Sequence, residues 1–204
     1  MEQTIDMQPR TSQLLDRLSE SATIAMSRKA RELKAAGRDI ISLSLGEPDV
    51  DTPDPIKAAG IRAIEENHTH YPPVPGFADV RQAICAKLQR DNGLSYQPDQ
   101  IVVSTGAKHS LMNVVLSLGD TGDEVILPTP FWVSYADMVN LAGGQVVEVH
   151  TGIAQDFKMT ADQLRHALTE RTRVVMLNSP NNPSGSGYTA EELAELAEVV
   201  STHP

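Results

Sequence analysis

The chain has 204 residues, 40% of them apolar, and a formal net charge of −10 spread along its length. That length can bury a sizeable core, and the acidic balance argues against nucleic acid or an anionic membrane surface as a partner. A single cysteine, Cys85, excludes an internal disulfide framework and suits a reducing cytoplasm. The apolar runs, such as residues 125–127, are too short to span a bilayer, and residues 1–6 lack a signal-peptide profile. The expectation is a cytoplasmic protein with no membrane partner.

Residues 1–20 read as a polar arm or short helix carrying Leu14, Leu15 and Leu18. Ala22, Met26, Ala30 and Leu33 fall at helical spacing, with Ser21 to open a helix and Gly37 to close it. Asp39–Leu45 alternates and predicts a short strand. Three prolines, Pro48, Pro53 and Pro55, break regular structure, after which Thr52 or Asp54 can cap a helix over residues 56–67. Residues 68–76 form a proline-stiffened loop. Val80, Ile84, Cys85 and Leu88 share one side of a helix over residues 78–92, which makes Cys85 a packing residue. From there the rhythm is strand then helix. Strands are expected at 100–103, 124–127, 145–149 and 173–177. Helices are expected at 106–118, 132–142, 160–169 behind Thr160, and from Thr189 on. Such βα alternation predicts an α/β fold, a mostly parallel sheet flanked by helices.

Three strand-to-helix connections could carry chemistry. Ser104-Thr-Gly-Ala-Lys-His-Ser110 pairs small residues with a helix N-terminus, which suits an anion, or is an ordinary small-residue turn. Pro128-Thr-Pro-Phe-Trp-Val-Ser-Tyr135 holds the chain's one tryptophan, Trp132, which can lie on a planar ligand or cap the core. Asn178-Ser-Pro-Asn-Asn-Pro-Ser-Gly185 is a stiff loop with two neighbouring amides, and it too could be a plain connection. His68 and His70 lack a third ligand nearby, so no metal site is expected. Glu191 and Glu192 sit at a helix start, where the dipole accounts for them.

In this order these stretches, together with Ser44-Leu-Gly-Glu-Pro-Asp-Val-Asp-Thr-Pro53, Tyr71-Pro-Pro-Val-Pro-Gly76 and Gly122-Asp-Glu-Val-Ile126, resemble the class I aminotransferases that use pyridoxal phosphate (PLP). These are fold type I enzymes, and the similarity is to the bacterial aspartate aminotransferase branch. It runs from about Thr23 to the end of the chain. It implies a PLP-dependent transfer of an amino group between an aspartate-like amino acid and a 2-oxo acid. The backbone of Gly106, Ala107 and Lys108 would hold the phosphate, with Ala107 a departure from the family's usual glycine or serine-glycine. Trp132 would stack on the pyridine ring, and Asn182 would bond its phenolic oxygen. Tyr71 would reach the phosphate of a neighbouring subunit, which implies a homodimer. Gly46, with Trp132 and Asn182, would meet the substrate.

The resemblance also implies three groups beyond the Asn178–Gly185 loop: an imine-forming lysine, an aspartate for the ring nitrogen and an arginine for the substrate carboxylate. The helix from Thr189 stops at Pro204 with no second half behind it, and none of the six lysines has the family's serine-lysine context. The expectation is therefore a truncated chain: residues 1–47 an arm and part of the small domain, residues 48–204 the first part of the large PLP-binding domain. Alone it should neither bond PLP nor transaminate. Its first strand should lack a partner while the strands near residues 125, 147 and 175 stay neighbours, and the isolated chain should be marginally stable. Other readings remain open: a different fold type I enzyme such as a β-lyase, or a non-catalytic PLP-fold binding or regulatory module.

Overall fold

Four successive buried residues, Glu124-Val-Ile-Leu127, open the middle strand of a three-stranded sheet. The structure, a computed structural model, describes residues 12–15, 18, 22–43 and 46–203. Its helices are α1 (Ala22–Ala35), α2 (Asp54–Glu65), α3 (Ala78–Asn92), α4 (Ala107–Leu118), α5 (Ser134–Ala142), α6 (Ala161–Ala167) and α7 (Ala190–Ser201). Its strands are β1 (Glu124–Thr129), β2 (Gln145–His150) and β3 (Thr172–Val175). Two units are distinguished: the described residues up to Ile40 with those from Leu111 on, and the described residues of Ile41–Ser110.

In the first unit the order is β2-β1-β3, all parallel. Successive side chains of a strand point to opposite faces, so β1 feeds two cores. Val125 and Leu127 pack with Tyr135 and Val139 of α5, and Leu111 of α4 lies against them. Ile126 packs with Val149, Met159, Leu164 of α6, and Leu196 and Val199 of α7. A strand covered on both sides must be apolar throughout, which is why residues 125–127 are an unbroken apolar run.

Local chemistry sets the helix starts. Thr160 and Gln163 form a reciprocal capping box on α6, and Thr189 and Glu192 form another on α7. At the amino end of β1 the buried Glu124 carboxylate accepts from the Thr169 hydroxyl at 2.6 Å and from the Arg171 guanidinium. Those two bonds tie β1 to the turn that leads into β3. The register between β1 and β3 shifts after Glu124, leaving Arg173 as the extra residue.

The second unit gathers around one arginine and one glycine. Arg81 of α3 donates Nη1 to the Pro98 carbonyl at 2.7 Å and Nε to the Gly76 carbonyl at 3.2 Å. Gly76 has φ +96°, and a Cβ there would lie 2.8 Å from Val103 Cγ2. Only glycine fits both conditions.

Two expected strands do not form. Residues 39–43 make no ladder, with Ile41 and Leu43 exposed; Ser44 and Leu45 lie outside the described residues, as do Ser21, Pro204 and most of residues 1–20. Residues 98–100 are instead a short 3-10 turn, and residues 101–103 are extended without a partner strand. Val103 donates its amide to the Pro75 carbonyl at 3.0 Å. Alternation becomes a strand only where a neighbour supplies the ladder, and among the described residues neither segment has one. The companion expectation holds: the strands near 125, 147 and 175 are neighbours. Gly37 follows α1 as the sequence reading placed it, and Gly93 and Gly143 close α3 and α5 in the left-handed region.

Two outcomes follow from this packing. Replacing the fully buried Leu164 by alanine should cost about 2–5 kcal/mol, against little for Leu193→Ala, which is 41% exposed; urea midpoints compare them. The Thr169 hydroxyl bond, opposed by burial and helped by Arg171, holds the Glu124 carboxyl below its usual 4.5. The folded carboxylate is thus the stronger acid, and its stabilisation is present above pH 4.5 and lost as pH falls through the lower folded value. Glu124→Gln should flatten that acid-side loss in urea midpoints taken across a pH series.

Candidate functional site

The Asn178–Gly185 loop leaves the carboxyl end of β3, after the Met176 amide has added one more bond to Ile126 at 3.0 Å. Its backbone is closed by short-range bonds. The Asn182 amide donates to Asn178 Oδ1 at 2.8 Å. The Gly185 amide donates to the Asn181 carbonyl at 2.7 Å, and the Asn181 amide to the Ser186 carbonyl at 2.9 Å. The peptide bonds before Pro130, Pro180 and Pro183 are cis. Asn181 also reaches out of the loop, donating Nδ2 to the Pro130 carbonyl at 2.9 Å and to Ser184 Oγ at 2.9 Å. The Asn182 side chain is exposed, and its amide makes no hydrogen bond among the described residues. The loop therefore presents one amide on a backbone held by its neighbours.

Trp132 lies two residues past Pro130, beyond the carboxyl end of β1. It is half-buried against the Val125–Leu127 core and meets Tyr135 edge to face, with ring centroids 5.4 Å apart and planes at 89°. It both covers the core and keeps part of its ring exposed. Beside it a narrow cleft lined by Pro128, Phe131, Tyr135, Asn178, Asn181 and Tyr188 encloses about 10 Å³. That is room for about one water, so an aromatic ligand would lie over these residues and not among them. Burial pushes the Tyr135 and Tyr188 hydroxyls up from 10.0.

Behind the loop stands a second layer of polar contacts. Ser186 Oγ donates to Asp156 Oδ1 at 3.1 Å, and the Tyr188 hydroxyl accepts from the Met159 amide at 2.7 Å. Lys158 Nζ meets Glu192 Oε1 at 2.6 Å and Asp156 Oδ2 at 3.7 Å. The Lys158 bond to Glu192 raises the lysine's pKa, and the same bond lowers that of the glutamate. Asp156 and Phe157 both take positive φ, 53° and 52°, a conformation that costs non-glycine residues energy. Sequence reading accounted for Glu192 by the helix dipole alone. Its capping box was legible as Thr189-x-x-Glu192; its partnership with Lys158, 34 residues away, was not.

In the other unit, Gly106 takes φ +82° just ahead of α4, and a Cβ there would meet nothing within 4 Å. Ala107 and Lys108 are the first two residues of α4, whose leading amides have no carbonyl within the helix to meet. The Thr105 amide donates to His109 Nδ1 at 3.3 Å. Open space over a glycine beside helix-opening amides fits an oxyanion. Tyr71 is fully exposed, and a Cβ on Gly46 would also meet open space. The His68 ring lies 3.4 Å from the Glu66 carboxylate. No group of three or more metal-ligating side chains occurs among the described residues, and no helix there is long and apolar enough to cross a membrane.

The pattern of aminotransferase class I and II matches residues 38–204. The chain belongs to this family. An aspartate/prephenate aminotransferase of Cereibacter sphaeroides is 52% identical over 193 residues, covering 95% of this chain and 48% of that protein. An aspartate aminotransferase of Geobacillus stearothermophilus is 51% identical over 187 residues, 91% of this chain and 47% of that protein. The crystal structure of Thermus thermophilus aspartate aminotransferase with maleate superposes with a TM-score of 0.92 at 41% identity, covering 96% of this chain and 51% of that one. The fold is thus that of the fold type I aminotransferases, and the chain spans about half the length of the relatives it matches.

Gly106 carries the backbone test of this region. Gly106→Ala should cost about 1–2 kcal/mol for its left-handed φ, with no added clash because the space is open. Chemical denaturation with a Gly93→Ala control, at φ +67°, should return the same cost at both positions.

Proposed function

We propose that the whole protein is a PLP-dependent aminotransferase of the cytoplasm, moving an amino group between an aspartate-like amino acid and a 2-oxo acid. Residues 48–204 form the first part of its cofactor-binding domain. The observation that carries this reading is the Asn182 side-chain amide, exposed and unbonded among the described residues, on a loop whose backbone is tied down. The relatives' names, aspartate and aspartate/prephenate aminotransferase, support the substrate class.

Bound PLP supplies an electron sink that lets an amino acid release its Cα proton. The residues of this chain bind and orient. The amides of Ala107 and Lys108, with that of Gly106 once it leaves the Ser104 carbonyl it meets here at 2.9 Å, would hold the phosphate against the positive end of α4. Trp132, half-buried, would offer its indole to the ring. Asn182 donates its side-chain amide to the phenolic oxygen. That bond favours the more negative protonation state, so it keeps the cofactor's pKa low. The Gly46 amide meets the substrate α-carboxylate. Tyr71, fully exposed in this chain, would reach the phosphate of a neighbouring subunit in a homodimer. The lysine that bonds the cofactor, the aspartate at the ring nitrogen and the substrate-binding arginine belong to the half of the family pattern that this chain does not span.

The 204-residue chain mixed with PLP should show no absorbance band of a lysine-bound cofactor and no transamination of aspartate. Protein made from a coding sequence that supplies the second half should show both, and Asn182→Ala should raise the pH midpoint of its absorbance. A lysine-dependent band from the short chain, or bound cofactor without transfer of any amino group in the long one, would overturn the reading.

A further inference from the structure

The two ring contacts proposed above, Trp132 and Asn182, sit on loops that leave different strands. The Asn181 side chain joins those loops. Asn181 has two amide protons, and both are used: one goes to the Pro130 carbonyl and one to Ser184 Oγ, each at 2.9 Å. A carbonyl oxygen can only accept, so the Pro130 bond fixes which end of the Asn181 amide faces it. Ser184 Oγ also accepts from the Ser186 amide at 3.3 Å. Asn181 thus touches its own loop at Ser184, the β1 loop at Pro130, and Asn182 through the chain.

Among the described residues, every other hydrogen bond made by residues 178–185 stays within nine positions, the longest from the Tyr188 amide to Ser179 Oγ at 3.0 Å. Asn178 to Asn182 spans four residues, and Gly185 to Asn181 the same. Those bonds shape the turn but say nothing about where it lies over β1. The Asn181 bond to Pro130 crosses 51 residues of sequence and does. Ser186 to Asp156 and Tyr188 to Met159 fix the loop's far end to the segment before α6.

We propose that Asn181 is a positioning residue: its amide, held by the Pro130 carbonyl, sets the Asn182 loop in register with the Trp132 loop. The proposal rests on the reading of Asn182 and Trp132 as cofactor contacts and assigns Asn181 no contact of its own. Loss of the tie leaves both contacts present but lets them move independently. The cost in kcat/KM should be about two- to tenfold, the range one neutral hydrogen bond carries.

The test uses protein that includes the second half of the family pattern, with Asn181→Ala and the isosteric Asn181→Asp, which cannot donate to Pro130. Amide exchange in the apoprotein should quicken in peptides covering residues 178–188 and also in those covering 128–135. Exchange unchanged over 128–135 in both variants overturns the proposal without reference to cofactor or activity. In the loaded enzyme the pH midpoint of the cofactor absorbance should rise in Asn182→Ala, rise less in Asn181→Ala, and rise no further in the double variant than in Asn182→Ala alone. Additive shifts overturn the positioning role. A midpoint unmoved by Asn182→Ala overturns instead the reading of Asn182 on which the proposal rests.

Discussion

Strand β1 is paired on both edges, and that double pairing governs the rest of the first unit. Its backbone groups are satisfied by β2 and β3, so its side chains have only the two faces to fill, and both faces are covered. Ile126 faces the helices α6 and α7, while Val125 and Leu127 face α5 and α4. No polar residue could occupy these positions without an unpaired buried group. The one charged residue buried in β1, Glu124, sits at its amino end, where Thr169 and Arg171 can reach it.

Parallel strands all deliver their loops to the same edge, and that edge is where the polar chemistry collects. β1 delivers Pro130 and Trp132; β3 delivers Asn178 through Gly185. Neither loop is long, and neither is held by apolar packing alone. They are held by side chains bonded to backbone: Asn178 to Asn182, Asn181 to Pro130, and Tyr188 to Met159. The strained pair Asp156–Phe157 serves the same end, since its turn brings the Asp156 carboxylate to Ser186 and Lys158.

Periodicity and capping residues made most helices legible in the sequence, because both are local. Thr160, Thr189, Gly93 and Gly143 mark their boundaries by chemistry that acts within one turn. Residues 39–43 and 100–103 form no ladder for the complementary reason: alternation describes a side chain's preference, while a strand is a relation to another segment, and the missing partner at 101–103 was itself expected. The proposed site residues divide in the same way. Gly106, Trp132 and Asn182 stand in motifs spaced along the chain. Asn181 stood in the same motif without a role, and Lys158 stood in none, because their partners lie 51 and 34 residues away.

The Asn181–Pro130 bond is lopsided in what it demands of each end. Pro130 contributes only a backbone carbonyl. Asn181 contributes a side chain of one length with a donor at its tip, and few residues can stand in for it. A change at 181 therefore calls for a new way to join two segments far apart in the gene.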